Sequence, residues 1–297
     1  MDLLALFFTI VKILYINGAT EAAKDLVAAI EPTRRGSKAP IHSTNIRNEH
    51  AYYCCIAQCL SAAPHETAAS PLADDSGASA SSSSSPSASA DSGGAGRPIY
   101  VCGDSHALSP AWKTLSLKSK GGQRRLLKPA LVTGLKHWHL RPGADFYPKR
   151  NFQTVVKEAI PDGADVVFLF GEIDCREGIL VAVEKGRYPS LAAGMEATMA
   201  HFFAAVEELR VKRKLNRVFI HPIVPVLNET RQIVTQYNAL FKERVLATGG
   251  RLTWLDGVFE GLLTPGGGAL RPEYEFDGTH LHPSYLTLVA DAVDAAT

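Results

Sequence analysis

The sequence predicts an α/β domain, a three-layer doubly wound parallel sheet of five strands, carrying an N-terminal α-helical extension. Three observations lead there. From residue 97 onward, short apolar runs alternate with longer amphipathic stretches, the rhythm of strands joined by helical crossovers. The short runs are apolar almost without interruption, as strands buried on both faces are. Upstream, residues 67–96 are Ser, Ala, Gly and Pro with scattered Asp and almost nothing to bury, which sets the helical start of the chain apart.

Taken in order, residues 1–16 read as an amphipathic helix. Asp2 stands where a leader would carry basic residues, and Lys12 interrupts the run short of the roughly 18–20 apolar residues a membrane span needs. No membrane span is expected. Asn17-Gly18 marks a turn, a second helix covers 19–30 and stops at Pro32, and a third covers 48–60. The string from Leu14 to Pro32, with its small-residue turn and Pro-terminated second helix, resembles one tetratricopeptide hairpin. A single hairpin cannot bury its own face, so it is either the remnant of a longer array or a helical extension packed on the main domain, and these helices are the candidate docking face for a protein partner. The chain divides into a helical segment (1–64), a disordered linker (65–97) and the α/β domain (98–297). In the last, strands are expected at 98–102, 130–132, 165–170, 217–221 and 251–255, and helices at 108–117, 152–160, 191–214 and 231–247. Sites in such sheets form beyond the carboxyl ends of the strands. Four segments fall there: 103–106, 134–139, 171–176 and 222–225.

Composition excludes several functions. The chain is 46% hydrophobic with a net charge of +1, so nothing favours a nucleic-acid partner. The basic clusters at Arg34-Arg35 and 118–128 read as solvated loops or helix ends. Five cysteines, three bunched as Cys54, Cys55 and Cys59, make neither an even disulfide framework nor a zinc spacing; free thiols in a reducing, cytoplasmic compartment follow. No His-Glu-x-x-His set is present, and Gly266-Gly267-Gly268 lacks the strand–helix context of a nucleotide loop. No metal and no cofactor are expected.

The chemistry sits at the two ends of the α/β region. Gly103-Asp104-Ser105-His106 follows the first strand, and Asp277-Gly278-Thr279-His280 precedes the last helix. A Ser on a tight turn after a strand, with an Asp and a His three apart far downstream, supplies a nucleophile, a base and an orienter. This layout resembles the SGNH (GDSL-type) hydrolase superfamily, whose nucleophile lies in a Gly-Asp-Ser block and whose Asp and His share an Asp-x-x-His block. The resemblance runs from residue 98 to 297 and implies a flavodoxin-like α/β fold, Ser105 as nucleophile, His280 as base and Asp277 as its orienter. It also implies an oxyanion donor from the backbone of Gly134, after the second strand. The third block departs from the family: Gly171-Glu172-Ile173-Asp174 has Ile173 where an Asn side chain would donate to the oxyanion. Arg176, Lys136 and His137 are the candidate replacements. Glu172, Asp174 and Arg176 alternate along an extended stretch and are expected either to touch a polar substrate or to pin the loop through an internal Arg–carboxylate pair. His137, in Lys136-His137-Trp138-His139, is expected to contact substrate at the same mouth. The resemblance implies a serine esterase acting on a small acyl ester, such as an O-acetyl group on a carbohydrate. Transfer of the acyl group to a sugar hydroxyl would use the same residues. The rival is a non-catalytic binding module whose missing Asn reflects lost activity.

Overall fold

In the computed structural model, residues 2–37, 40–62 and 95–297 are described. The strands are β1 (Ile99–Gly103), β2 (Thr114–Leu117), β3 (Gln123–Leu131), β4 (Asp165–Leu169), β5 (Arg217–Ile220) and β6 (Thr253–Trp254). They form one sheet in the order β2-β3-β1-β4-β5-β6, parallel except for β2, which runs antiparallel to β3 at the edge. The helices are α1 (Asp2–Ile16), α2 (Thr20–Arg35), α3 (Arg47–Ser61), α4 (Tyr147–Ala159), α5 (Ile179–Glu184), α6 (Leu191–Lys212), α7 (Arg231–Leu246), α8 (Val258–Leu262) and α9 (Leu286–Ala295).

The pleat sorts the strand side chains into two cores. Cys102, Ala130, Val166, Phe168, Val218 and Ile220 face α4, α6 and α7. Ile99, Val101, Val167, Leu169 and Phe219 face α8 and α9. The layered α/β architecture read from the alternating runs is therefore present, with one strand more than expected. That strand replaces the helix expected at 108–117. Pro110 and the left-handed Trp112 (φ +62°) break any helix there. Thr114 to Leu117 then alternate in burial with a period of two, which suits a half-exposed edge strand.

The basic stretch at 118–128 is correspondingly a tight turn followed by most of β3. Arg125 turns inward: its guanidinium meets the Asp165 carboxylate at 2.7 Å, and both side chains are almost wholly buried. Asn216 donates to the other Asp165 oxygen at 2.6 Å. Removing one member of such a pair strands the other charge, so Arg125→Met is expected to cost about 3–5 kcal/mol in urea unfolding. Replacing Asp165 with Leu as well should recover much of that loss. Pro129 is tolerated in β3 because β2 pairs only as far as Leu126, leaving the ring on an unpaired side.

α2 runs through Pro32 to Arg35 instead of stopping before it. Glu31 holds the extra turn, accepting from Arg34 at 2.6 Å and from Arg35 at 2.8 Å. α1 to α3 do not stand apart from the α/β domain. Phe8, Val11, Tyr15, Tyr53, Cys55 and Ile56 share one core with Leu108, Ala111, Trp112 and Leu131. The Tyr15 hydroxyl donates to Leu108 O (3.0 Å), and Trp112 Nε1 donates to Tyr15 O (2.6 Å). The face a lone hairpin would leave open is thus covered from within the chain. On the outside, Leu3, Leu6 and Ile13 are exposed. Among the described residues, no helix is long and apolar enough to cross a membrane, and the five cysteines are free thiols. Of the expected linker, residues 65–94 lie outside the described residues, while Ala95 and Gly96 pair with Arg124 beside β3.

Candidate active site

β1 ends at Gly103, and only glycine fits: a Cβ there would lie 2.7 Å from Leu169 O. The chain then turns sharply into a single 3-10 turn, Ser105–Leu108, whose N-cap Asp104 accepts the His106 N–H through Oδ1 at 3.1 Å. Ser105 is thereby presented beyond the carboxyl end of a central strand.

The second half arrives on the loop before α9. Asp277 Oδ1 accepts the N–H groups of Thr279 (3.0 Å) and His280 (2.7 Å), with Gly278 left-handed between them (φ +79°). This local turn aims Asp277 Oδ2 at His280 Nδ1, 2.7 Å away, and His280 Nε2 lies 2.9 Å from Ser105 Oγ. Burial disfavours the Asp277 carboxylate, but the His280 side chain and the two backbone donors outweigh it and hold its pKa down to about 2. An ionised Asp277 fixes the Nδ1–H tautomer, which leaves Nε2 free to accept from the serine hydroxyl. His282 turns away, its Nδ1 lying 2.9 Å from Ser284 Oγ.

The remaining expected residues divide. Gly134 sits in a left-handed turn just past β3, with open space where a Cβ would go. The end of β3 is tied to that of β1 by the Val132 N–H on Gly103 O (2.7 Å). Asp174 is fully buried and accepts the His137 N–H at 2.7 Å and the Trp138 N–H at 3.4 Å. It pins the loop after Gly134. Burial pushes its pKa up to about 7 against those two donors.

His137 does not reach the mouth with its side chain. The ring is wholly buried, stacked 4.3 Å from Phe202, with Nδ1 2.8 Å from the Tyr237 hydroxyl. Burial drives its pKa down to about 3, so it is neutral. The ring lies against Gly171, whose φ of +115° and crowding by Ile223 exclude a side chain. Arg176 is one-third exposed and lies 3.4 Å from Glu172 and 3.5 Å from Glu177, the internal pairing that steadies a loop. Below this loop, Lys136, Trp138, Asp174, Ile179, Arg187 and Tyr188 help enclose a cavity of about 150 Å³, whose lining does not include Ser105 or His280.

Two groupings of neighbours were not read from the sequence, although Glu172 of the second was expected to pair with Arg176. Cys55 of α3 backs the site: its thiol is within 4.8 Å of both the Asp277 carboxylate and a His280 ring nitrogen. These three are the one Cys/His/carboxylate group among the described residues close enough to share a metal ion, yet Asp277 and His280 already engage each other. The second set is Asp104, His106 and Glu172, all nearly inaccessible. The signal for it was the His directly after Ser105.

Comparison with known proteins returned no matching family model and no matching curated protein. Among solved structures, a GDSL-like lipase from Bacteroides thetaiotaomicron is similar with a TM-score of 0.44 and 16% identity, over 67% of this chain and 86% of that one. An acylhydrolase described as putative, from Bacteroides fragilis, is similar with a TM-score of 0.44 and 15% identity, over 67% and 85% of the respective chains.

Proposed function

We propose that this protein is a serine hydrolase that cleaves a small acyl ester through an acyl-enzyme on Ser105. One observation carries the reading: an unbroken hydrogen-bonded chain from Ser105 Oγ to His280 Nε2 (2.9 Å) and from His280 Nδ1 to Asp277 Oδ2 (2.7 Å). Its members come from loops 175 residues apart in sequence, and the carboxylate of the set is ionised. That is the geometry a hydroxyl needs to lose its proton as it attacks.

In the first step Ser105 Oγ bonds to the ester carbonyl carbon while its proton moves to His280 Nε2. The carbonyl oxygen takes the negative charge. Collapse breaks the bond to the alcohol, which leaves with the proton from His280. Water then repeats the cycle, its proton passing through His280 to Ser105 as the acid departs. A sugar hydroxyl in place of that water would give acyl transfer with the same residues. The backbone N–H groups at the Ser105 turn and at Gly134 are the donors proposed for the oxyanion. Lys136, Trp138 and Arg176 give the neighbouring surface a polar and aromatic character, which suits an acylated carbohydrate better than a long lipid chain.

The test is labelling with a fluorophosphonate probe together with p-nitrophenyl acetate hydrolysis, for the wild type and Ser105→Ala. Both signals should be present in the wild type and absent in the variant. A folded wild type that takes up no probe would instead favour the binding-module reading, to which Ile173 in place of an oxyanion donor lends its one support.

A further inference from the structure

Four charged side chains beside Ser105 have no part in the proton path. Asp104, His106 and Glu172 are 1%, 4% and 3% exposed, and Arg176 closes the group toward solvent. Their mutual contacts are loose: His106 Nε2 lies 3.6 Å from Glu172 Oε2, and Arg176 Nε lies 3.4 Å from Glu172 Oε1. Asp104 Oδ2, His106 Nδ1, both Glu172 oxygens and Arg176 Nε are buried without a hydrogen-bond partner among the described residues. Buried polar atoms in folded proteins are paired as a rule. Glu172 still faces Arg176 and His106 Nε2 at ion-pair distance, but Asp104 Oδ2 and His106 Nδ1 have not even that, and of those two only the imidazole nitrogen can donate to a polar atom from outside. The place is specific: the His106 ring is 5.0 Å from the His280 ring, one residue from the nucleophile. The cluster also joins the Ser105 turn to the loop in which Ile173 supplies no donor.

We infer that His106 is the side-chain oxyanion donor of this site, receiving the substrate's carbonyl oxygen at Nδ1 while Glu172, itself paired with Arg176, faces its Nε2. The inference rests on the serine-hydrolase reading above. As Ser105 Oγ bonds to the carbonyl carbon, the carbonyl π pair moves onto oxygen, and the Nδ1–H donates to it without being transferred. Charge supports the assignment. Burial opposes an imidazolium here, but Asp104 and Glu172 outweigh it and raise the His106 pKa, which favours a proton on each ring nitrogen. One N–H faces Glu172, and the other is the unpaired donor. The remaining charged or titratable groups around the ring are Arg176 from the same loop as Glu172, His280 from the loop before α9, and His221 from the end of β5.

The experiment compares kcat, KM and probe-labelling rate across pH for wild type, His106→Leu and Glu172→Gln. His106→Leu should lower kcat and labelling by about 10²–10³-fold with KM little changed, the cost of removing one oxyanion donor. The wild-type rate should fall at high pH as His106 loses its proton, and this descending limb should be missing from the variant. Glu172→Gln leaves the ring in place but removes a charge that raises its pKa, so its descending limb should move to lower pH. It decides the matter should His106→Leu fail to fold. Rates within about twofold of wild type, or a descending limb that neither variant changes, would overturn the inference while leaving Ser105 as nucleophile. An unlabelled wild type would overturn the serine-hydrolase reading itself, and this inference with it.

Discussion

Asp277→Asn is expected to slow acylation of the protein about 10⁴-fold, as amide replacement of an orienting carboxylate does. The amide oxygen can still accept the Thr279 and His280 N–H groups that Oδ1 now takes at 3.0 and 2.7 Å, so the turn survives. What changes is the partner of His280 Nδ1. An amide N–H in place of Oδ2 favours the other tautomer, with the proton on Nε2, and a protonated Nε2 cannot accept from Ser105. The variant should therefore bind a fluorophosphonate probe but react with it slowly, with near-native circular dichroism. Labelling at the wild-type rate would remove Asp277 from the mechanism. The same carboxylate has a signature in stability. Its pKa in the fold, about 2, lies below the ordinary 3.8. A carboxyl depressed on folding stabilises fully above its unfolded value, and that contribution is lost as pH falls through the folded one. The wild type should lose stability between about pH 4 and pH 2 through this group, a dependence missing from the Asn variant.

The second large effect is expected at Trp112. Its ring lies over the turn between α1 and α2, so close that a Cβ on Gly18 would be 3.1 Å from Cη2, and its indole N–H donates to Tyr15 O at 2.6 Å. Trp112→Ala deletes that packing and removes the shorter of the two hydrogen bonds to Tyr15 O, leaving only the Gly18 N–H at 3.1 Å. A loss of about 3–5 kcal/mol follows, in the range for large aromatic truncations in cores. Urea unfolding followed by circular dichroism measures it. A loss below about 1 kcal/mol would mean that the helices rest on the α/β domain without being fastened to it.

Much of this arrangement was legible in the residues, and the reasons differ from part to part. The buried strands β1, β4 and β5 announce themselves because both faces are covered and, after the leading Asp165 and Arg217 of β4 and β5, the run is apolar. Ser105, Asp277 and His280 were legible as types at a spacing, and the fold brings the three together. β2 was not, because Leu108, Ala111 and Leu115 fall at helical spacing while Pro110 and the left-handed Trp112 decide against a helix. Only the end of β3 was read as a strand; its first part was hidden by its own charges, since Arg125 looks solvated until Asp165 is seen across the sheet. His137 reads as a polar group at the mouth, yet it is a neutral ring in an aromatic core, which local sequence does not reveal. The role of α3 behind Asp277 was equally out of reach, since it depends on a contact spanning most of the chain.

The joint between the helical extension and the sheet has a consequence for how the chain reaches its fold. Tyr15 finds Leu108 across 93 residues, Trp112 finds Tyr15 across 97, and Ser105 finds His280 across 175. Local helix formation in α1 to α3 is fast, but the apolar face of these helices has no cover until the stretch from Leu108 to Leu131 is in place. During synthesis that face waits, exposed, for sequence made much later, the period in which sticky intermediates associate wrongly or engage a chaperone. Ser105 waits longer still, because its partner imidazole lies 175 residues downstream. The Ser105–His280 contact on which the proposed reaction rests therefore cannot form before residue 280 has been made.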